Sequence, residues 1–128
     1  MNKFTYLCQG FGTTEVFDTS TWAWAAGPPL PSDMYGLCVT ELNNLGTRHL
    51  LVGGSTSPLS VASYVYDWDN QGSGWTPSGT LPVAVNFPSC ARATIENGSK
   101  DVVLAVGGVV DTGVSDVVQI YQISTEVW

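Results

Sequence analysis

Short apolar runs separated by polar turn residues recur along this chain, at 61–67 with period-two alternation, and no window keeps a helical period. These runs predict strands over 37–42, 48–53 and 61–67, and again over 90–96, 102–107 and 116–123. Within 61–67, Ala62, Tyr64 and Tyr66 share one face, and Val61 and Val65 share the other. A short outer strand opens at Trp75. Turn residues separate these runs: Asn43-Asn44-Leu45-Gly46 after the first and Asn97-Gly98 after the fourth. Asn-Gly between two strand patterns is a strong hairpin signal, because both residues tolerate the left-handed backbone of a tight turn. Pro and Gly interrupt every long window. The pattern predicts an all-β chain of antiparallel strands.

The pattern also repeats. Trp24 and Trp75 are 51 apart, and Trp75 and Trp128 are 53 apart. Leu30-Pro31 and Leu81-Pro82 are 51 apart, and Gly53-Gly54 and Gly107-Gly108 are 54 apart. A repeat of about 50 residues with several strands per unit marks a radial array of small sheets. The fullest unit reads Leu50-Leu51-Val52-Gly53-Gly54, then Val65-Tyr66-Asp67, Trp75 and Leu81-Pro82. It recurs as Leu104-Ala105-Val106-Gly107-Gly108, Ile120-Tyr121 and Trp128, and its tail appears earlier as Val16-Phe17-Asp18, Trp24 and Leu30-Pro31.

These residues resemble the kelch repeat over nearly the whole chain. The resemblance implies an incomplete kelch-type β-propeller of four-stranded antiparallel blades. Residues 1–34 would be the last three strands of one blade, 35–82 a second blade and 83–128 a third. Closed propellers hold about four to eight blades, so the resemblance implies a fragment of a larger propeller. Its open blade edges would be prone to self-association. The first unit has Gln9-Gly10 in place of a glycine pair, Gln122 follows Tyr121 where Asp is expected, and Tyr66 and Trp75 are nine apart rather than seven. The glycine pair is expected where backbones crowd and a Cβ would clash. The aromatic and Trp positions are expected to pack between neighbouring units.

Four Lys+Arg against eleven Asp+Glu give a net charge of −7 in 128 residues. That balance argues against nucleic acid or an anionic membrane as partner, since both call for a basic face. The longest apolar stretch, 102–110, is broken by two glycines and is far short of the ~20 residues of a membrane helix. Met1-Asn2-Lys3-Phe4 shows no signal peptide, which leans toward the cytoplasm; the low charge content leaves an extracellular role open.

Little in the chain points to catalysis. Cys8, Cys38 and Cys90 occupy slots for small buried apolar residues, which reads as core packing. Cys38 and Cys90 hold near-equivalent positions in neighbouring units, so a disulfide between them rests on geometry. The one histidine, His49, follows Arg48 at the start of an ordinary strand and reads as a surface or edge residue. No cofactor or metal is expected. A nucleophile elbow and a phosphate loop are both missing from the sequence. Asn97-Gly98-Ser99 fits the N-glycosylation sequon at a hairpin tip.

The resemblance therefore implies a non-catalytic protein-interaction module. Such propellers serve as substrate receptors beside a BTB domain that recruits a ubiquitin ligase, or as extracellular recognition domains. The alternative is a fragment of a galactose-oxidase-like copper oxidase, which shares the propeller. A carbohydrate-binding role would need exposed Trp rings, whereas the period predicts buried ones. Function on such a fold sits in the loops at one end. Those after the glycine pairs and between units offer Asp33, Met34, Tyr35, Ser55, Thr56, Ser57, Asn86, Phe87, Asp111 and Thr112 as candidate partner contacts.

Overall fold

The computed structural model describes the backbone of residues 3–9, 12–55 and 58–128, and the side chains of 12–54 and 58–128. Thr56, Ser57 and the Cys8 side chain lie outside the described residues. The chain is all-β, in antiparallel sheets of two to four strands that follow one another in sequence.

Sheet 1 contains β1 (Lys3–Gln9), β2 (Thr13–Asp18) and β3 (Ala23–Ala26). Sheet 2 contains β4 (Tyr35–Glu41), β5 (Arg48–Ser55), β6 (Ala62–Asp67) and β7 (Thr76–Thr80), each paired with the next. The six residues Trp68–Ser73 form a 3-10 turn that absorbs the longer β6–β7 connection. Sheet 3 contains β8 (Ser89–Ile95), β9 (Lys100–Val106) and β12 (Val118–Gln122), with a single bridge from Gln122 to Val127 where sheets 1 and 2 have an outer strand. Between β9 and β12 a separate hairpin forms from β10 (Val109–Val110) and β11 (Gly113–Val114). That stretch reads as a loop in the sequence. The Val-Val and Gly-Val flanks pair across Asp111 and Thr112, a two-residue turn.

Sheet 2 is buried on both faces. On β5, Leu50, Leu51 and Val52 are all fully buried, and alternation sends them to opposite sides. Leu50, Val52 and Val65 pack with Val103, Ala105 and Tyr121 of sheet 3. Leu51, Tyr66 and Trp75 pack with Leu30 and Met34 from the β3–β4 connection. His49 belongs to this second face: it pairs across the strands with Tyr66 and is buried. The expectation of a surface histidine is corrected by that parity, which overrides the polar neighbour Arg48.

The aromatic pairs recur with one geometry. Ring centroids lie 5.1 Å apart for Phe17–Trp24, 5.4 Å for Tyr66–Trp75 and 5.3 Å for Tyr121–Trp128, at 49°, 47° and 57°. Asp18 and Asp67 accept from the backbone N–H two residues on, which turns the chain toward the outer strand. Trp75 is buried and Trp128 half-buried, but Trp24 is 53% exposed. The expectation of buried repeat Trp residues therefore fails at Trp24.

Sheets 2 and 3 are tied at their inner edges. A disulfide joins Cys38 on β4 to Cys90 on β8, with Cα atoms 6.0 Å apart. These two cysteines are not simply small core residues, although both still pack against the core. Gln119 clamps the connection between the sheets, donating to the Val83 carbonyl at 3.0 Å and accepting from the Val83 N–H at 2.8 Å. Arg48 reaches Glu126 at 2.5 Å, and Arg92 reaches Asn44 at 2.5 Å.

Candidate partner-binding face

The two glycine pairs build one end of the molecule. Gly53 and Gly54 have φ of 68° and 96°, and Gly107 and Gly108 have 63° and 98°. A left-handed backbone at both positions turns the chain sharply out of the strand, and side chains oppose it. Space forbids side chains as well: a Cβ on Gly53 would lie 2.7 Å from the Val85 carbonyl, and one on Gly108 would lie 2.6 Å from the Asn86 carbonyl. After each pair the chain returns in the same way. Ser60 donates its N–H to Gly54 at 3.0 Å, and Ser115 donates to Gly108 at 2.9 Å. Each serine hydroxyl then accepts from the N–H two residues on, at 3.0 and 3.1 Å.

This scaffold fixes the connection from sheet 2 to sheet 3. Val85 accepts from the Gly54 N–H at 3.0 Å, and Asn86 exchanges two backbone hydrogen bonds with Val109, at 2.8 and 2.7 Å. Phe87 follows in a left-handed conformation, φ 54°, and donates its N–H to Gly36 at 2.5 Å. A bulky residue holds that φ only when its surroundings over-determine it. The Asn86 side chain accepts from the same N–H at 3.1 Å, and a Cβ on Gly36 would collide with it.

The result is a displayed aromatic pair. Phe87 is 62% exposed and Tyr35 is 53% exposed, with ring centroids 6.4 Å apart. Neither ring tucks under the first strand. The β10–β11 hairpin stands beside them through the Asn86–Val109 bridge, and carries exposed Asp111 and Thr112 at its tip and exposed Val114 at its base, opposite Val109. Asp33 is exposed, and its carboxylate lies near Gly12. Two proposed contacts are corrected by burial. Met34 is buried in the sheet 2 core, where the apolar face of β5 claims it, and Asn86 is buried as part of the floor. Ser55 is in β5, opposite Tyr35.

The β10–β11 hairpin and the Gln119 clamp are the parts that sequence reasoning missed. Asp111-Thr112 between two apolar pairs was the available signal for the hairpin. The clamp joins residues 36 apart and carries no local signal.

At the opposite end, an open cleft of about 600 Å³ is lined by Thr40, Glu41, Asn44, Arg92, Thr94 and Asp101. Arg92 pairs with Asp101 at 2.8 Å. The Thr94 hydroxyl, followed by Arg92, holds the Asp101 carboxyl below its ordinary range. Asn97 sits exposed beside it, at the tip of the β8–β9 hairpin with φ 56°.

Among the described residues no three His, Cys, Asp or Glu side chains converge as a metal site. Burial lowers the His49 pKa from 6.5 to about 4. No helix is long and apolar enough to cross a membrane among the described residues. Neither a protein-family model nor a curated protein matches the chain.

Proposed function

We propose that the chain is a section of a kelch-type propeller and acts as a non-catalytic protein-interaction module. Its partner face is the end bearing Tyr35, Phe87 and the β10–β11 hairpin. The observation that carries this reading is Phe87, held at φ 54° with its ring exposed next to Tyr35. Apolar rings held out on a rigid floor cost little entropy when a partner orders them, which is how contact anchors work. The recurrence of the glycine-pair backbone and of the aromatic-pair geometry supports the repeat assignment.

The Cys38–Cys90 disulfide favours extracellular recognition over a ubiquitin-ligase adaptor, because such bonds persist in oxidising compartments. In that setting Asn97 would be open to glycosylation at the end away from Tyr35 and Phe87. The copper-oxidase alternative gains no support from the described residues: His49 is buried within sheet 2, and Cys38 and Cys90 are joined to each other.

The test is selection of a displayed random-peptide library against the purified chain. Selected peptides are expected to lose at least 10-fold in affinity for Tyr35→Ala and Phe87→Ala, and to bind Asp101→Asn normally. Peptides indifferent to both aromatic substitutions would overturn the reading.

A further inference from the structure

The way sheet 2 is covered defines what fits on sheet 3. The face of sheet 2 carrying Leu50, Val52 and Val65 packs with the face of sheet 3 carrying Val103, Ala105 and Tyr121. The contact is completed by Trp128, whose indole N–H donates to Ser63 at 3.0 Å, and by Tyr121, whose hydroxyl meets that of Ser78 at 2.6 Å. In register, the sheet 3 counterparts of Leu50, Val52, Ser63 and Val65 are Leu104, Val106, Val118 and Ile120. Strand pairing sets Ile120 opposite Leu104 and Val118 opposite Val106, on one face. That face is open: Val118 is 53% exposed and Ile120 48%, and Val106 is exposed as well. Valine in place of Ser63 makes it more apolar than its covered counterpart.

The other end of the molecule carries the reciprocal surface. In the repeat, Phe17 and Trp24 of sheet 1 correspond to Tyr121 and Trp128, the pair that sheet 3 lays on sheet 2. Their ring geometry matches, and Trp24 is exposed with Trp22 beside it. Within the chain this kind of apolar face is met by a sheet bearing an aromatic pair. Phe17–Trp24 is the one such pair still open among the described residues.

We propose that the chain associates head to tail with a second copy of itself, the Phe17–Trp24 face of one copy seating on Val106, Val118 and Ile120 of the other. This continues the sheet 2–sheet 3 interface across copies. Each copy brings three successive sheets of three or four strands, so two copies supply six, within the range of about four to eight in closed rings. Both ends of each copy are then used, the same contact forms twice, and the ring closes with two-fold symmetry. The inference rests on the propeller part of the proposed function and not on the partner-binding face, whose residues lie elsewhere.

Light scattering after gel filtration tests it. The expected mass is twice the 13.6 kDa of one chain. Ile120→Asp removes the tail and Trp24→Ser the head, both at exposed positions. Each is expected to weaken association more than 10-fold while the Cys38–Cys90 bond still forms and the far-ultraviolet circular dichroism is unchanged. Mixing the two variants leaves one intact head and one intact tail, so a mixed dimer is expected. A monomer at millimolar concentration would overturn the proposal. So would assembly that survives both substitutions, and so would assembly that only Ile120→Asp removes, which would mark a tail-to-tail contact.

Discussion

The indole N–H of Trp128 donates to the hydroxyl of Ser63 at 3.0 Å, across 65 residues of sequence. Ser63 in turn donates to the Ser78 carbonyl, so one buried hydroxyl serves both the outer strand of its own sheet and the aromatic anchor of the next. Ser63→Ala removes both links and leaves buried groups without partners, which costs roughly 1–3 kcal/mol. Trp128→Phe keeps most of the ring and drops only the donor, so its loss is expected to be smaller. Urea unfolding of the two variants measures the difference, and equal stability in Ser63→Ala and the parent would contradict the linkage.

Reduction of the Cys38–Cys90 bond is expected to destabilise strongly. The cross-link closes a loop with a sequence separation of 52 residues. Constraining a loop of that size restricts the unfolded chain by about 4 kcal/mol in the entropic account. A urea midpoint that falls sharply with reductant, and equally in Cys38→Ala without reductant, is the expected result.

Stability is expected to fall in mild acid through His49. Unfolded, the imidazole takes up a proton near pH 6.5; folded, burial delays this to about pH 4. Between those values the unfolded state binds more protons, so the contribution is complete above pH 6.5 and is lost as pH drops toward 4. The loss approaches about 3 kcal/mol as the pH reaches 4. Urea midpoints of the parent and His49→Gln from pH 7.5 to 4.5 should converge, because the variant lacks this slope while sharing the carboxylates.

Two glycines with similar backbones separate strain from crowding. Gly108 has φ 98° and Gly98 has φ 90°, but a Cβ on Gly108 meets Asn86 and Val85 at 2.6 Å while one on Gly98 meets nothing within 4 Å. Gly98→Ala is expected to cost about 1–2 kcal/mol from the left-handed backbone alone. Gly108→Ala adds a steric collision with the peptide before Phe87, so it should cost more and, on the proposed function, should also weaken peptide binding at the Tyr35–Phe87 end. Thermal unfolding of both variants checks the order.

Strand positions were legible because apolar runs and turn residues are local signals. The stretches 48–53 and 61–67 lie within a residue or two of β5 and β6. The glycine pairs were legible for the same reason, since the backbone they adopt is written in their own side chains. What stayed hidden depends on distance. Whether Cys38 meets Cys90 is decided by how sheets 2 and 3 approach, and the burial of Met34 and Asn86 by what sits above them. His49 is different. Its parity with Leu51 placed it on an inner face, and the adjacent arginine masked a signal that was present. At the proposed partner face, the prominence of Tyr35 and Phe87 could be suspected from their loops, but the left-handed turn at Phe87 gives no sequence sign, because phenylalanine rarely adopts it.

The burial of the middle of β5, from His49 to Gly54, on both faces also sets a hierarchy of opening. Its Leu50, Leu51 and Val52 amides sit in the middle strand of the widest sheet, with apolar layers above and below. Solvent reaches them only when both layers part, so their hydrogen exchange reports the global unfolding of the chain. The Trp22 turn and the Asp111-Thr112 turn of the β10–β11 hairpin carry no such cover, and their amides open by local fluctuation. The molecule thus has a slow-exchanging spine along β5 and fast-exchanging tips, and it is the fast tips that border the two proposed contact surfaces.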